Sequence, residues 1–119
     1  FLVGASAKVI KRTQIKLIEQ YQTPIVGYQD GYFDDDLKLI EEIKVSGAKI
    51  VTVAMGTPRQ EQFIFKCRDA GINAIFMGVG GTYEGLVQTE ATIADEAIQR
   101  GYYYTSRVHV HIYGNAIGK

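Results

Sequence analysis

The stretch Ile50-Val51-Thr52-Val53-Ala54 decides the fold class of this 119-residue chain. Its residues are apolar or β-branched and do not alternate with polar ones, a pattern typical of a strand buried on both faces of a parallel sheet. A turn begins at Gly56, and a helix is predicted from about residue 58 to residue 70, with Gly71 ending it. We therefore expect a strand followed by a crossover helix.

Similar strand–helix units are predicted on both sides of this one. Strands are expected at residues 1–3, 24–27 and 74–77. The first helix is capped by Ser6, and the second opens with three aspartates at 34–36 and stops at Gly47. Three alternations of strand and helix predict an α/β fold, a three-layer sandwich with a mainly parallel, Rossmann-like sheet.

Helical spacing of apolar residues predicts which helix faces are buried. The expected stripes are Val9, Ile10, Ile15, Leu17 and Ile18 in the first helix, and Leu37, Ile40, Ile43 and Val45 in the second. Further on, residues 89–100 suit a helix and residues 102–113 alternate as a strand. His109 and His111 share one face of that strand, but without a third ligand an exposed polar face is favoured over a zinc site.

Composition narrows the classes of partner. Lys+Arg and Asp+Glu are both 13, so the net charge is zero, which argues against a broad nucleic-acid-binding face. The single cysteine, Cys67, leaves no internal disulfide and predicts a reducing, cytoplasmic setting. The start, Phe1-Leu2-Val3-Gly4, has no features of a signal peptide, and we expect it to be the first strand of a segment from a longer chain.

The first of two glycine-containing turns runs from Gly56 to Glu61, directly after the central strand. In parallel sheets, ligands bind beyond the carboxyl ends of strands. We expect a capping box in which the Thr57 hydroxyl accepts a hydrogen bond from the Gln60 amide, leaving N–H groups for a phosphate. Arg59 would add a forked cationic donor. The alternative is a helix start that is well capped and has no ligand.

The second turn is Gly78-Val79-Gly80-Gly81-Thr82. Glycines at a strand end allow close approach of a ligand to the backbone, although the same pattern is typical of a tight turn. Thr82, Tyr83 and Glu84 follow it with a hydroxyl, a stacking ring and a carboxylate, a set that suits a ribose or nucleobase. The glycine spacing does not match the dinucleotide-binding fingerprint.

Together these motifs resemble the WecG/TagA/CpsF family of bacterial glycosyltransferases. The matching stretches follow the family's order over about residues 1–87: Phe1-Leu2-Val3-Gly4, Ile25-Val26-Gly27, Gly31-Tyr32-Phe33, Ser46-Gly47-Ala48, Gly56-Thr57-Pro58-Arg59-Gln60-Glu61 and Gly78-Val79-Gly80-Gly81-Thr82-Tyr83-Glu84. The sequence of residues 50–56 is similar to that of the family branch that uses UDP-N-acetylmannosaminuronic acid in enterobacterial common antigen synthesis.

The resemblance implies an inverting, UDP-sugar-dependent transferase without metal or cofactor. It would move an N-acetylmannosamine-type sugar from UDP to N-acetylglucosaminyl-diphospho-undecaprenol, an acceptor at the inner membrane surface. Gln60 matches a glutamine near the sugar and diphosphate and is the supporting catalytic residue. Tyr32 matches a pocket aromatic, and Glu84 stands where an acid contacts the nucleoside. The other implied substrate-binding residues are Gly56, Thr57, Arg59, Glu61, Gly80, Gly81, Thr82 and Tyr83.

The chain also departs from the family pattern. The family's N-terminal half carries an Asp-Gly motif with the expected general base, so residues 1–87 are interpreted as the C-terminal, nucleotide-sugar-binding half-domain. Residues 88–119 are interpreted as a divergent helix and strand of the same domain. Two alternatives to an active transferase stay open: a catalytically silent UDP-binding domain and a non-enzymatic interaction module. Among the partners considered is a second copy of the chain, in a homo-oligomer.

Overall fold

A computed structural model describes residues 1–78 and 83–102 of the chain. It divides into two compact units, Phe1–Val79 and Gly80–Lys119. Residues 103–113 of the predicted strand, with His109 and His111, lie outside the described residues, as do Gly80, Gly81 and Thr82. The division that we expected at residue 87 remains a prediction.

The first unit is built on a four-stranded parallel sheet with the strand order β2-β1-β3-β4. Its elements are β1 (Leu2–Gly4), α1 (Ala7–Tyr21), β2 (Tyr28–Gln29), α2 (Asp36–Ser46), β3 (Ile50–Ala54), α3 (Arg59–Asp69) and β4 (Ile75–Gly78). Val53 in β3 is in register with Val3 on one side and Gly78 on the other. The α/β fold with a parallel sheet is thus confirmed. The second unit contains α4 (Tyr83–Gln99), which starts well before the predicted residue 89.

The core of the first unit lies on one face of this sheet. Val51 and Val53 are fully buried there, together with Val3 from β1. Helices α2 and α3 cover the face with Leu39, Ile40, Ile43, Phe63 and Cys67. The crossovers through α2 and α3 step across the sheet in one direction, and the crossover through α1 steps in the other. Because such connections are right-handed, α2 and α3 lie on one face of the sheet and α1 on the other.

The predicted burial of β3 on both faces is wrong for the described part of the chain. The burial of β3 alternates: Val51 and Val53 are 0% exposed, whereas Ile50 is 49% exposed. Ile75 and Met77 in β4 are 63% and 50% exposed. The reason is topological, because both helices adjoining β3 pack on the same face of the sheet.

The buried stripe of α2 also differs from the prediction. Leu37 and Val45 are each 78% exposed, and Leu39 takes an inward position with 3% exposure beside Ile40 and Ile43. The Asp35 side chain caps the helix by accepting a hydrogen bond from the Lys38 amide. The predicted stop at Gly47 is confirmed, and this glycine has a φ of +65°.

In α1, the predicted stripe is largely exposed. Ile10 is its one buried member, while Val9, Ile15 and Ile18 are 43–52% exposed. Ser6 occupies the N-cap position as expected, but its side chain makes no capping bond. Helix α1 packs against β1 and β2. Because both strands are very short, they cover only a small part of the helix surface.

Strand β2 (Tyr28–Gln29) lies directly downstream of the strand predicted at residues 24–27. Pairing with β1 starts at Gly27, whose carbonyl accepts a 3.1 Å hydrogen bond from the Leu2 amide. The regular ladder then pairs Leu2 with Tyr28 and Val3 with Gln29. Among the described residues, no helix is long and apolar enough to cross a membrane.

Candidate functional site

The carboxyl ends of β1 and β3 meet at a very close backbone contact. Gly4 pairs with Ala54, and a Cβ atom at Gly4 would lie 2.2 Å from the Ala54 carbonyl oxygen. That oxygen accepts a 3.0 Å hydrogen bond from the Ala5 amide. The loops that follow both strands therefore leave the sheet side by side, where parallel sheets bind ligands.

The start of α3 differs from the expected capping box. The helix begins at Arg59 with Pro58 in the N-cap position, and no side chain caps it. The Gln60 amide donates to the carbonyl of Gly56 at 3.0 Å, so it is not available to the Thr57 hydroxyl. Thr57 Oγ1 instead donates to Glu61 Oε1 at 3.2 Å. The Thr57–Pro58 peptide bond is cis.

Gln60 and Glu61 form a shielded polar pair at this helix start. Gln60 is 1% exposed, and its Nε2 donates a 2.8 Å hydrogen bond to Glu61 Oε1. This bond sets the orientation of the amide, because a carbonyl oxygen could not donate to a carboxylate. Gln60 Oε1 and Glu61 Oε2 are buried and have no hydrogen-bond partner among the described residues. The pair thus holds two unused acceptors.

Arg59 points toward the loop between β2 and α2. One terminal nitrogen, Nη1, donates to the carbonyl of Gly31 at 2.9 Å, and Nη2 donates to that of Phe33 at 3.2 Å. The guanidinium carbon lies 5.1 Å from the centroid of the Phe33 ring. The predicted phosphate contact of Arg59 stays a prediction, and the bonds found are to the protein's own backbone.

The β2–α2 loop is anchored on both sides of Tyr32. The Gly31 amide donates to the Ala5 carbonyl at 2.9 Å, and the Phe33 ring meets Phe63 edge-on with centroids 5.4 Å apart. Tyr32 itself is 80% exposed. Its backbone amide donates to Asp30 Oδ1 at 2.9 Å. The backbone on both sides of the exposed Tyr32 ring is therefore held in place by contacts of the neighbouring residues, Gly31 and Phe33.

Within the first unit, the structure brings together several of the predicted site residues. Gly56, Thr57, Arg59, Gln60 and Glu61 occupy one turn, and Arg59 links that turn to the loop of Tyr32. Tyr83 and Glu84 form the first turn of α4 in the second unit, and both are exposed.

Sequence reasoning did not select Gly4, Gly31 or Phe33 as site residues. For Gly4, the available signal was a glycine directly after a predicted strand.

The sequence model of the glycosyl transferase WecG/TagA/CpsF family matches residues 1–94. The chain belongs to this family. The match spans the whole described part of the first unit and the first turns of α4, and it extends beyond residue 87, where the motif resemblance ends. As a WecG/TagA/CpsF glycosyltransferase, the chain holds the buried Gln60 and the half-buried Glu61 at the edge of the sheet where ligands bind in this type of fold.

Cys67 is not one of the candidate site residues at this edge of the sheet. It is 0% exposed within α3. Burial, together with the charge of Asp36, raises the pKa of the Cys67 thiol to about 12. The thiolate is the nucleophilic form of cysteine, so the raised pKa and the burial make Cys67 a packed core residue.

Proposed function

We propose that this chain forms the donor site of a glycosyltransferase that binds a UDP-sugar at the carboxyl edge of β1 and β3. The observation that carries the proposal is the pair of unused acceptors, Gln60 Oε1 and Glu61 Oε2, buried at the start of α3. An unsatisfied buried oxygen costs about 1–3 kcal/mol, so two in one turn favour a functional use.

The chemistry of these acceptors suits a sugar. A hydroxyl or an N-acetyl N–H can donate to an amide oxygen or a carboxylate, whereas a phosphate oxygen would be repelled by the carboxylate. The diphosphate is better placed at the N-terminus of α3, where the helix dipole favours negative charge. Both acceptors are shielded from solvent, so we expect neighbouring side chains to shift when the sugar binds.

The proposed reaction transfers an N-acetylmannosamine-type sugar, N-acetylmannosaminuronic acid, from UDP to N-acetylglucosaminyl-diphospho-undecaprenol with inversion. Family membership and the motif resemblance support this assignment. Gln60 would support catalysis next to the departing UDP, whose charge the start of α3 stabilises. We place the general base outside residues 1–119, and the acceptor at the inner membrane surface.

The nucleoside end is assigned by resemblance. By the motif resemblance, Tyr32, Tyr83 and Glu84 would each contact the nucleoside. The backbone of Gly80, Gly81 and Thr82 would approach the ligand closely. A direct measurement of ligand binding tests these proposed contacts.

Isothermal titration with UDP provides that test, with GDP as the control for the base. We expect binding of UDP in the micromolar to low-millimolar range, which is typical for nucleotide substrates, and weaker binding of GDP. No heat at millimolar UDP would overturn the proposal. Transfer to a synthetic lipid-linked acceptor is the second measurement, and binding without turnover would identify a catalytically silent domain.

A matched pair of variants locates the site. Gln60→Leu removes the buried amide, while Gln62→Leu makes the same change at an exposed position of the same helix. We expect Gln60→Leu to weaken binding of the UDP-sugar more than tenfold, the effect of losing about one to two hydrogen bonds to a polar ligand. Gln62→Leu should bind as the parent chain does.

A further inference from the structure

We propose that Arg59 is a positioning residue, which holds the β2–α2 loop, and with it the Tyr32 ring, at the ligand edge of the sheet. The proposal concerns the order of this loop in the free protein. Its consequence for the ligand, that Arg59 acts on the nucleoside end through Tyr32, rests on the proposed function.

The geometry of the guanidinium carries this inference. Nη1 and Nη2 donate to the carbonyls of Gly31 and Phe33, the two residues on either side of Tyr32. A planar fork with fixed angles holds two acceptors at a set spacing, which a flexible ammonium group does not. One side chain of α3 thereby fixes the backbone on both sides of an exposed ring.

The surroundings of this fork restrict the loop further. The Phe33 ring lies under the guanidinium at 5.1 Å and packs edge-on against Phe63, which is 2% exposed in the core. Gly31 leaves little room for a side chain, because a Cβ there would lie 3.3 Å from the Gly4 Cα atom. Tyr32 is the 80% exposed residue between these two anchors. Its ring position depends on the backbone that Arg59 holds.

A positioning role and a direct phosphate contact predict different behaviour for Arg59→Lys. Lysine retains the positive charge but loses the two-pronged geometry. If Arg59 positions the loop, the substitution loosens Tyr32 and weakens every ligand that carries uridine. If Arg59 served mainly as a phosphate charge, which lysine also carries, the substitution would leave the loop and uridine binding unchanged, and any loss of affinity would be confined to UDP.

The loop can be observed directly, because the chain contains no tryptophan. Tyr32→Trp introduces one fluorophore at the loop, and time-resolved anisotropy reports its nanosecond motion. Adding Arg59→Lys should increase the amplitude of fast depolarisation about twofold. The matched control is Arg68→Lys, since Arg68 lies on the same helix and also donates to a backbone carbonyl, that of Ala74 at 3.1 Å. That control should leave the anisotropy decay unchanged.

All samples are compared well below their thermal midpoints, with circular dichroism confirming the fold. Unchanged fast motion in the Arg59→Lys chain would overturn the proposal. This measurement needs no ligand, so it decides the positioning role even if the chain does not bind UDP.

Binding of uridine and of UDP then tests the consequence for the ligand in chains that retain Tyr32. We expect Arg59→Lys to weaken both by the same factor, about tenfold, as for one charge-assisted hydrogen bond. In a Tyr32→Ala background the same substitution should have little further effect. A loss confined to UDP would overturn the role through Tyr32, whereas absence of binding by the parent chain would overturn the proposed function alone.

Discussion

Gly4 and Ala54 approach so closely that a Cβ atom at Gly4 would lie 2.2 Å from the Ala54 carbonyl oxygen and 2.8 Å from its amide nitrogen. The contact involves backbone atoms, so no side-chain rotation could relieve it. Gly4 also has a φ of +119°, which residues with a side chain rarely adopt. The paired ends of β1 and β3 therefore depend on glycine at this position.

Gly4→Ala should lower the free energy of unfolding by about 3 kcal/mol, from the combined cost of unfavourable backbone angles and a forced separation of two strands. Urea denaturation measures the change. Gly47→Ala is the matched control, because Gly47 also has a positive φ but has no atom within 4 Å of the added Cβ. Its cost should be about 1 kcal/mol. Equal losses in the two variants would contradict the close contact.

Two leucines of α2 provide a test of which face is buried. Leu39 is 3% exposed and Leu37 is 78% exposed, although they stand two residues apart. Leu39→Ala should destabilise the protein by about 3 kcal/mol through lost burial and a cavity, while Leu37→Ala should change stability by less than about 0.5 kcal/mol. Thermal or urea unfolding separates them, and the reverse order would show that the helix is rotated from the position described.

Gln60→Leu should separate stability from function. The substitution removes the bond to Glu61 but also removes an unsatisfied buried carbonyl, so the two effects largely cancel and stability should change by less than about 1 kcal/mol. Binding of a UDP-sugar should nevertheless fall sharply. A strongly destabilised variant, as judged by urea unfolding, would show that the amide has a structural role instead.

The buried thiol of Cys67 predicts a dependence of stability on alkaline pH. Burial raises its pKa from 9.0 to about 12, so the folded protein retains this proton at pH values where the unfolded chain has released it. The stabilisation is complete below pH 9 and is lost as the pH rises toward 12. Cys67→Ala should therefore show a shallower loss of stability with pH above 9 than the parent chain. Parallel pH profiles would contradict the raised pKa.

Local sequence signals predicted the elements of this fold where one chemical cause dominates. The β-branched run at residues 50–54 became β3 with the expected bounds, because few other conformations suit it. Gly47 and Gly71, with φ of +65° and +81°, mark the ends of α2 and α3, since residues with a side chain adopt such angles at a cost. The alternation of strands and helices was sufficient to predict a parallel sheet.

The same signals were poor at predicting which faces are buried. Leu37 and Leu39 are chemically identical, and only the packing of α2 on the sheet distinguishes them. The exposed face of β3 and β4 follows from two successive crossovers on one side, which depends on strand order. Strand order is a property of long-range pairing and is not encoded in any single window of the sequence.

For the candidate site, the sequence was sufficient to predict the Gly56–Glu61 turn directly after β3. The choice of Gln60 as supporting catalytic residue came from the motif resemblance and stays a prediction. Only the tertiary structure decided what the side chains do there. It replaced the expected capping box with a Gln60–Glu61 pair and directed Arg59 to carbonyls 28 and 26 residues away. The physical reason is that a side chain's hydrogen bonds depend on which groups the fold brings within about 3 Å, and no spacing along the chain specifies that distance.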